Sequence, residues 1–84
     1  MKKKYNYKEA VSDAVEDAVT LVNTRLAEGW YDSAPSLDKF QELAYRALIK
    51  RWRHAIYREG SRAKEDTYTL AQARYLDVFE GVLQ

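Results

Sequence analysis

The sequence predicts an all-α fold, a small three-helix bundle with antiparallel neighbouring helices, and three observations lead there. Apolar residues recur at steps of three and four over three separate segments. Only three glycines and one proline interrupt the chain, which leaves few places to turn. No segment alternates apolar and polar residues between turn signals, as a strand would. Eighty-four residues make a single domain, 1–84, whose core removes roughly 60 to 65 % of the unfolded surface from water. Short connections then favour antiparallel packing of consecutive helices.

A basic tail, residues 1–5, opens the chain with Lys2, Lys3 and Lys4. It resembles the charged start of a signal peptide, yet Asn6, Lys8, Glu9, Ser12 and Asp13 occupy the place of an apolar h-region. Neither a leader nor a membrane span is expected, because no run approaches the roughly 18 apolar residues of a transmembrane helix.

The first helix is expected over about 7–28. Tyr7, Ala10, Val11, Ala14, Val15, Ala18, Val19, Leu21, Val22 and Leu26 fill about half of its circumference and form the core face. Glu9, Asp13, Glu16 and Asp17 gather on the opposite side, where early acids also complement the positive end of the helix. Gly29 can take the left-handed conformation that stops a helix. The following GWYDSAPS stretch reads as a loop, with Trp30 and Tyr31 folding back as a lid on the core.

Ser36, or in competition Ser33, caps a second helix over about 37–59. Leu37, Phe40, Leu43, Ala44, Ala47, Leu48 and Ala55 form one apolar stripe, and Tyr45, Ile49, Trp52 and Ile56 form another beside it. Together they span about two thirds of the wheel, more than one partner helix covers. This helix therefore either lies between the other two or carries apolar surface for a second molecule. Gly60 ends it, and 61–66 reads as a linker or an extra turn. Thr69 with Gln72 matches a capping box, with Asp66 and Thr67 as alternative starts, so the third helix is expected over about 67–83. Tyr68, Ala71, Tyr75, Leu76, Val78, Phe79, Val82 and Leu83 share its inner face.

Charge is concentrated in one place. Between Arg46 and Lys64, seven cations (Arg46, Lys50, Arg51, Arg53, Arg58, Arg62 and Lys64) face the single acid Glu59, a net of +6 in 19 residues of a chain whose total is +1. Lys39, Arg46, Lys50 and Arg53 fall in a line on the second helix, while Arg51 and Arg58 lie at the apolar margin and snorkel. Such a face is a solvated one balanced by the acidic helix, a contact for nucleic acid, or a contact for an acidic protein.

Chemistry-bearing motifs are lacking. The chain has no cysteine, which excludes disulfides, thiolate metal sites and a cysteine nucleophile and fits a reducing compartment. His54 has no carboxylate at helical spacing to orient it and no paired nucleophile. Neither a phosphate loop nor zinc spacing nor an EF-hand is present. The expectation is a non-enzymatic protein without cofactor or metal.

The segment Gln72-Ala73-Arg74-Tyr75-Leu76-Asp77-Val78-Phe79-Glu80-Gly81-Val82 resembles the closing helix of short helical proteins encoded by tailed bacteriophages. Val78, Phe79, Glu80, Gly81 and Val82 match the ending and Arg74 with Tyr75 match loosely, whereas Gln72 stands in place of a tyrosine and Asp77 in place of a glycine. The resemblance covers about an eighth of the chain. It implies a virion-associated or accessory protein without catalytic activity, in the host cytoplasm or the virion.

The expected function is docking on a larger protein or complex, as such a component or as an inhibitor, with homo-oligomerisation as a possible accompaniment. Tyr45, Ile49, Trp52, Tyr57, Trp30 and Tyr31 are the anchors, since aromatic side chains bury much area at small entropic cost. The alternative is nucleic-acid binding through Lys39, Arg46, Lys50, Arg51, Arg53, Arg58, Arg62 and Lys64.

Overall fold

The computed structural model describes residues 5–80, and every regular element among them is helical. The lysines of the basic tail and the helix end expected at 81–83 lie outside the described residues. In chain order the elements are α1 (Tyr7–Ala27), α2 (Leu37–Arg51), α3 (Arg53–Glu59), α4 (Ser61–Tyr75) and a five-residue π-helical turn, Leu76–Glu80. No described helix is long and apolar enough to cross a membrane.

The Ser36 cap and the Gly29 stop form as expected. The Lys39 N–H donates to Ser36 Oγ at 3.3 Å, so Ser36 rather than Ser33 starts α2. At the end of α1, the N–H groups of Gly29 and Trp30 donate back to the carbonyls of Leu26 and Arg25 at 3.2 and 2.8 Å. That double closure needs the left-handed φ of +82° that Gly29 supplies. The start of α1 is capped by Asn6, whose Oδ1 accepts from the Glu9 N–H.

The expected three helices become four because the second one breaks at Trp52. Its backbone leaves the helical region (φ −133°, ψ 63°) although its N–H still reaches Leu48 O at 2.7 Å. Neither proline nor glycine stands there. The indole packs with Tyr5 and His54, at ring-centroid distances of 5.6 and 6.2 Å. Ala55 of α3 and Leu48 of α2 share one buried cluster across the break, as their common stripe in the sequence predicts.

The last helix begins at Ser61, well before the expected 67, so the Thr69–Gln72 pair lies inside α4 and caps nothing. Only Gly60 (φ +58°, ψ −137°) separates α3 from α4, a conformation that L side chains rarely adopt. Residues 61–66 carry good helix formers in Arg62, Ala63, Lys64 and Glu65. Ala63 is their one apolar residue and is buried, as is Thr67 just beyond them, and a single apolar position shows no period. Thr67 is satisfied internally: its hydroxyl donates to Ala63 O at 2.7 Å.

Two buried clusters fix the directions of the helices. The first joins Val15, Val19 and Val22 of α1 to Phe40 and Ala44 of α2 and to Ala71 and Tyr75 of α4. The second joins Ala10 and Ala14 to Leu48, Ala55 and Ala63. The start of α2 thus meets the end of α1, and the end of α2 meets the start of α1, so these helices are antiparallel. By the same test α4 runs parallel to α1, with Tyr7 donating to Asp66 at 2.6 Å near one end and Arg74 reaching Glu16 at 2.6 Å near the other.

Loop and terminal turn are tied to this frame. The Tyr75 hydroxyl donates to Pro35 O at 2.7 Å, and Phe79 packs on Phe40 and Tyr75 with centroids 5.6 and 5.4 Å apart. Tyr31 packs against the first cluster as expected of a lid. Trp30 does not: it is 70 % exposed, with the Arg25 guanidinium over its ring at 5.5 Å. The same cation lies 5.8 Å from the Tyr31 ring, whose hydroxyl accepts from Arg25 Nη1 at 3.0 Å, so one ring closes the core and the other is left outside.

Candidate functional site

Helix periodicity places Lys39, Arg46 and Lys50 on one exposed ridge of α2, and Arg53 continues it at the start of α3. The four guanidinium and ammonium groups have different partners. Arg46 is held by Glu42 of its own helix at 2.7 Å. Lys39, Lys50 and Arg53 have no hydrogen bond or ion pair among the described residues. All four side chains are exposed, so the charge faces water with little internal neutralisation.

The remaining predicted cations are engaged. Arg51 bridges to Asp17 of α1 at 2.7 Å, and Arg62 lies 3.5 Å from Asp66 in its own helix. Arg58 sits over the Tyr5 ring at 5.7 Å. Lys64 sits between Tyr45 and Tyr68, at 5.7 and 5.6 Å from their centroids. All four remain exposed, with these acids and rings beside them.

The acidic face of α1 is likewise committed. Asp17 takes Arg51 on the α2 side, while Glu16, one residue earlier and about 100° around the helix, takes Arg74 on the α4 side through two bonds of 2.6 and 3.1 Å. Arg74 also reaches Asp77 at 2.9 Å. The bond to Glu16 raises the Arg74 pKa further above an already high value, so this cation stays charged. Tyr7 shows the opposite logic. Burial, reinforced by the hydrogen bond to Asp66 and by the Asp66 charge, raises its phenol well above the usual tyrosine range and keeps it neutral.

On one side of the cationic ridge, Ile49, Arg53, Ile56 and Tyr57 line an open groove. Ile49 is 39 % exposed and Tyr57 is 89 % exposed, a large outlay of apolar surface to water for a small domain. On the other side, between α1 and α2, lies a groove of about 600 Å³ with Leu21, Leu43 and Ala47 in its floor. The ridge thus separates two apolar depressions. The α1–α2 groove was not among the sequence expectations, because it needs two helices to exist and no single helix wheel shows it.

The other predicted anchors divide. Tyr45 is half-buried against Tyr68, with ring planes 77° apart. Trp52 is half-buried in an aromatic group with Tyr5 and His54; its Nε1 is fully buried, as is the Tyr5 hydroxyl, and neither has a hydrogen-bond partner among the described residues. The indole nitrogen is thus turned inward while part of the ring remains exposed. Tyr5, read from sequence as part of the tail, is instead the hub of that group, 4.8 Å from the His54 ring. His54 is exposed with the Tyr5 and Trp52 rings beside it, and no cluster of three metal-ligating side chains exists among the described residues.

Comparison with family models, with curated proteins and with solved structures finds no match. Function is therefore read from the geometry of this molecule.

Proposed function

We propose that the protein acts by docking, without catalysis, on a larger protein through the outer face of α2 and α3. The reading rests on one observation: Tyr57 is 89 % exposed and shares a groove with Ile49, Ile56 and Arg53. An exposed aromatic beside aliphatic side chains, flanked by cations that lack internal carboxylates, has the composition of an interface core with a charged rim. Tyr57, Ile49 and Ile56 are the anchors; Lys50 and Arg53 orient the approach. The resemblance of 72–82 to phage-encoded helical proteins supports a virion-associated or accessory setting in the host cytoplasm.

Nucleic-acid binding is the second reading, supported by Lys39, Lys50 and Arg53 standing unpaired near an exposed tyrosine able to stack on a base. Affinity capture from the native host with mass spectrometry separates the two. Docking on a protein requires a captured partner that persists at high salt and is lost with Ile49→Asp or Tyr57→Ala. Retention on DNA or RNA that falls steeply with salt and disappears with Arg53→Glu would replace the first reading by the second.

A further inference from the structure

We infer that the groove spanning the α2–α3 break takes an acidic segment of the partner protein, an aliphatic side chain seated between Ile49, Ile56 and Tyr57 with a carboxylate beside it on Arg53. This rests on the docking reading above and adds the chemistry of what docks.

The groove holds about 410 Å³ and is lined by three apolar side chains and one cation. Its apolar walls suit an aliphatic anchor. Its cation suits an anion: Arg53 is exposed and has no hydrogen bond or ion pair among the described residues, and its planar fork matches a carboxylate through two parallel bonds. Lys50, three residues earlier on the same ridge, adds a second exposed and unpaired charge.

The acids nearest in sequence are engaged elsewhere. Glu42, two turns before Ile49 on α2, is held by Arg46 at 2.7 Å. Glu59, the single acid between Arg46 and Lys64, directs its charge at the Tyr7 phenol of α1. The charge on Arg53 is therefore left for another molecule.

Charge and shape together choose the occupant. A nucleic-acid backbone needs cations in unbroken succession. Along the ridge Lys39 and Lys50 stand eleven residues apart, roughly 16 Å on a helix, and Arg46 between them is already paired with Glu42. Tyr57 is the one ring in the groove beside two isoleucines, which makes an aliphatic seat and not a platform for successive bases. In a two-fold pair of this chain the same patch meets itself, setting Arg53 and Lys50 against their own counterparts with no acid between. An acidic, aliphatic segment of a different protein satisfies the walls and the cation at once.

The test titrates the isotope-labelled full chain with a synthetic peptide in which leucine is flanked by glutamates. Counterparts with glutamine or lysine in place of glutamate, and a single-stranded oligonucleotide, are run beside it. Amide shifts centred on Ile49, Ile56 and Tyr57 are expected, with the glutamate peptide bound about tenfold more tightly than the glutamine one, the scale of one charge-assisted contact. Arg53→Gln should remove that preference, and Arg62→Gln, at an exposed cation outside the groove, should keep it. Equal binding of the glutamine or lysine peptide in the groove overturns the inference and leaves the docking face standing. Absence of groove shifts overturns it too; joined to a host partner that survives Tyr57→Ala, that absence overturns the docking reading as well. Groove shifts with the oligonucleotide at the same concentration overturn it in favour of nucleic acid. Groove shifts on concentrating the chain alone overturn it in favour of a second copy.

Discussion

The two buried clusters differ in what fills them. Around Phe40, bulk is central: Phe40, Val15 and Val22 are fully buried and the aromatic rings of Tyr75 and Phe79 close over them. Around Leu48, four of the five buried residues are alanines (Ala10, Ala14, Ala55, Ala63), and the bulk sits at the rim in Tyr5, Tyr7, Tyr45, Trp52 and Ile56. Alanine contacts let helix backbones approach closely, which pushes large side chains outward. One end of the molecule therefore concentrates its stability inside, and the other presents aromatic rings to solvent and to cations such as Arg58 and Lys64. Ile56 of the α3 groove packs against this second cluster.

The sharpest way to break this comparison is to empty the first cluster. Phe40→Ala should cost about 3–5 kcal/mol, by lost transfer energy and a cavity that neighbours fill only in part; chemical denaturation measures it, and a cost under about 1 kcal/mol would show that this end is not the stabilising one. Next, Ala55→Leu overfills the second cluster and should cost about 1–3 kcal/mol. A neutral result there would mean that the alanine contacts are not tight.

Tyr7→Phe probes the tie between the second cluster and α4. The phenol pKa is raised in the folded state, so its contribution is fully present below the ordinary tyrosine pKa, about 10, and falls as pH rises above it. Wild type should lead the variant by about 1 kcal/mol at neutral pH, the net worth of one hydrogen bond, and that lead should shrink above pH about 10. Thermal melts of both proteins between neutral and alkaline pH read it directly, and a constant gap would refute the coupling. The smallest effect is expected from Glu16→Gln. Its bridge to Arg74 is half-exposed and bidentate, worth about 0.2–1 kcal/mol and weaker in salt.

Much of the fold was legible because helix periodicity and caps are local. The core faces of α1 and α2, the Ser36 cap and the Gly29 stop all follow from residues within a few positions of one another. The Trp52 break was not legible, since no proline or glycine marks it and the ring that packs on the indole, Tyr5, stands 47 positions earlier in the chain. The early start of α4 was hidden for a different reason: Ala63 is the one apolar residue in 61–66, and a single position shows no period. Of the candidate surface, the ridge of Lys39, Arg46, Lys50 and Arg53 was readable from a wheel. The division of the other cations between acids and aromatic rings was not, because it depends on which helices become neighbours.

Gly60 is the whole connection between α3 and α4, and that brevity has a mechanical consequence. Any change of angle between these two helices must be taken up by the φ and ψ of that one residue, which stand where an L side chain would be strained, so the hinge and the residue type are fixed together.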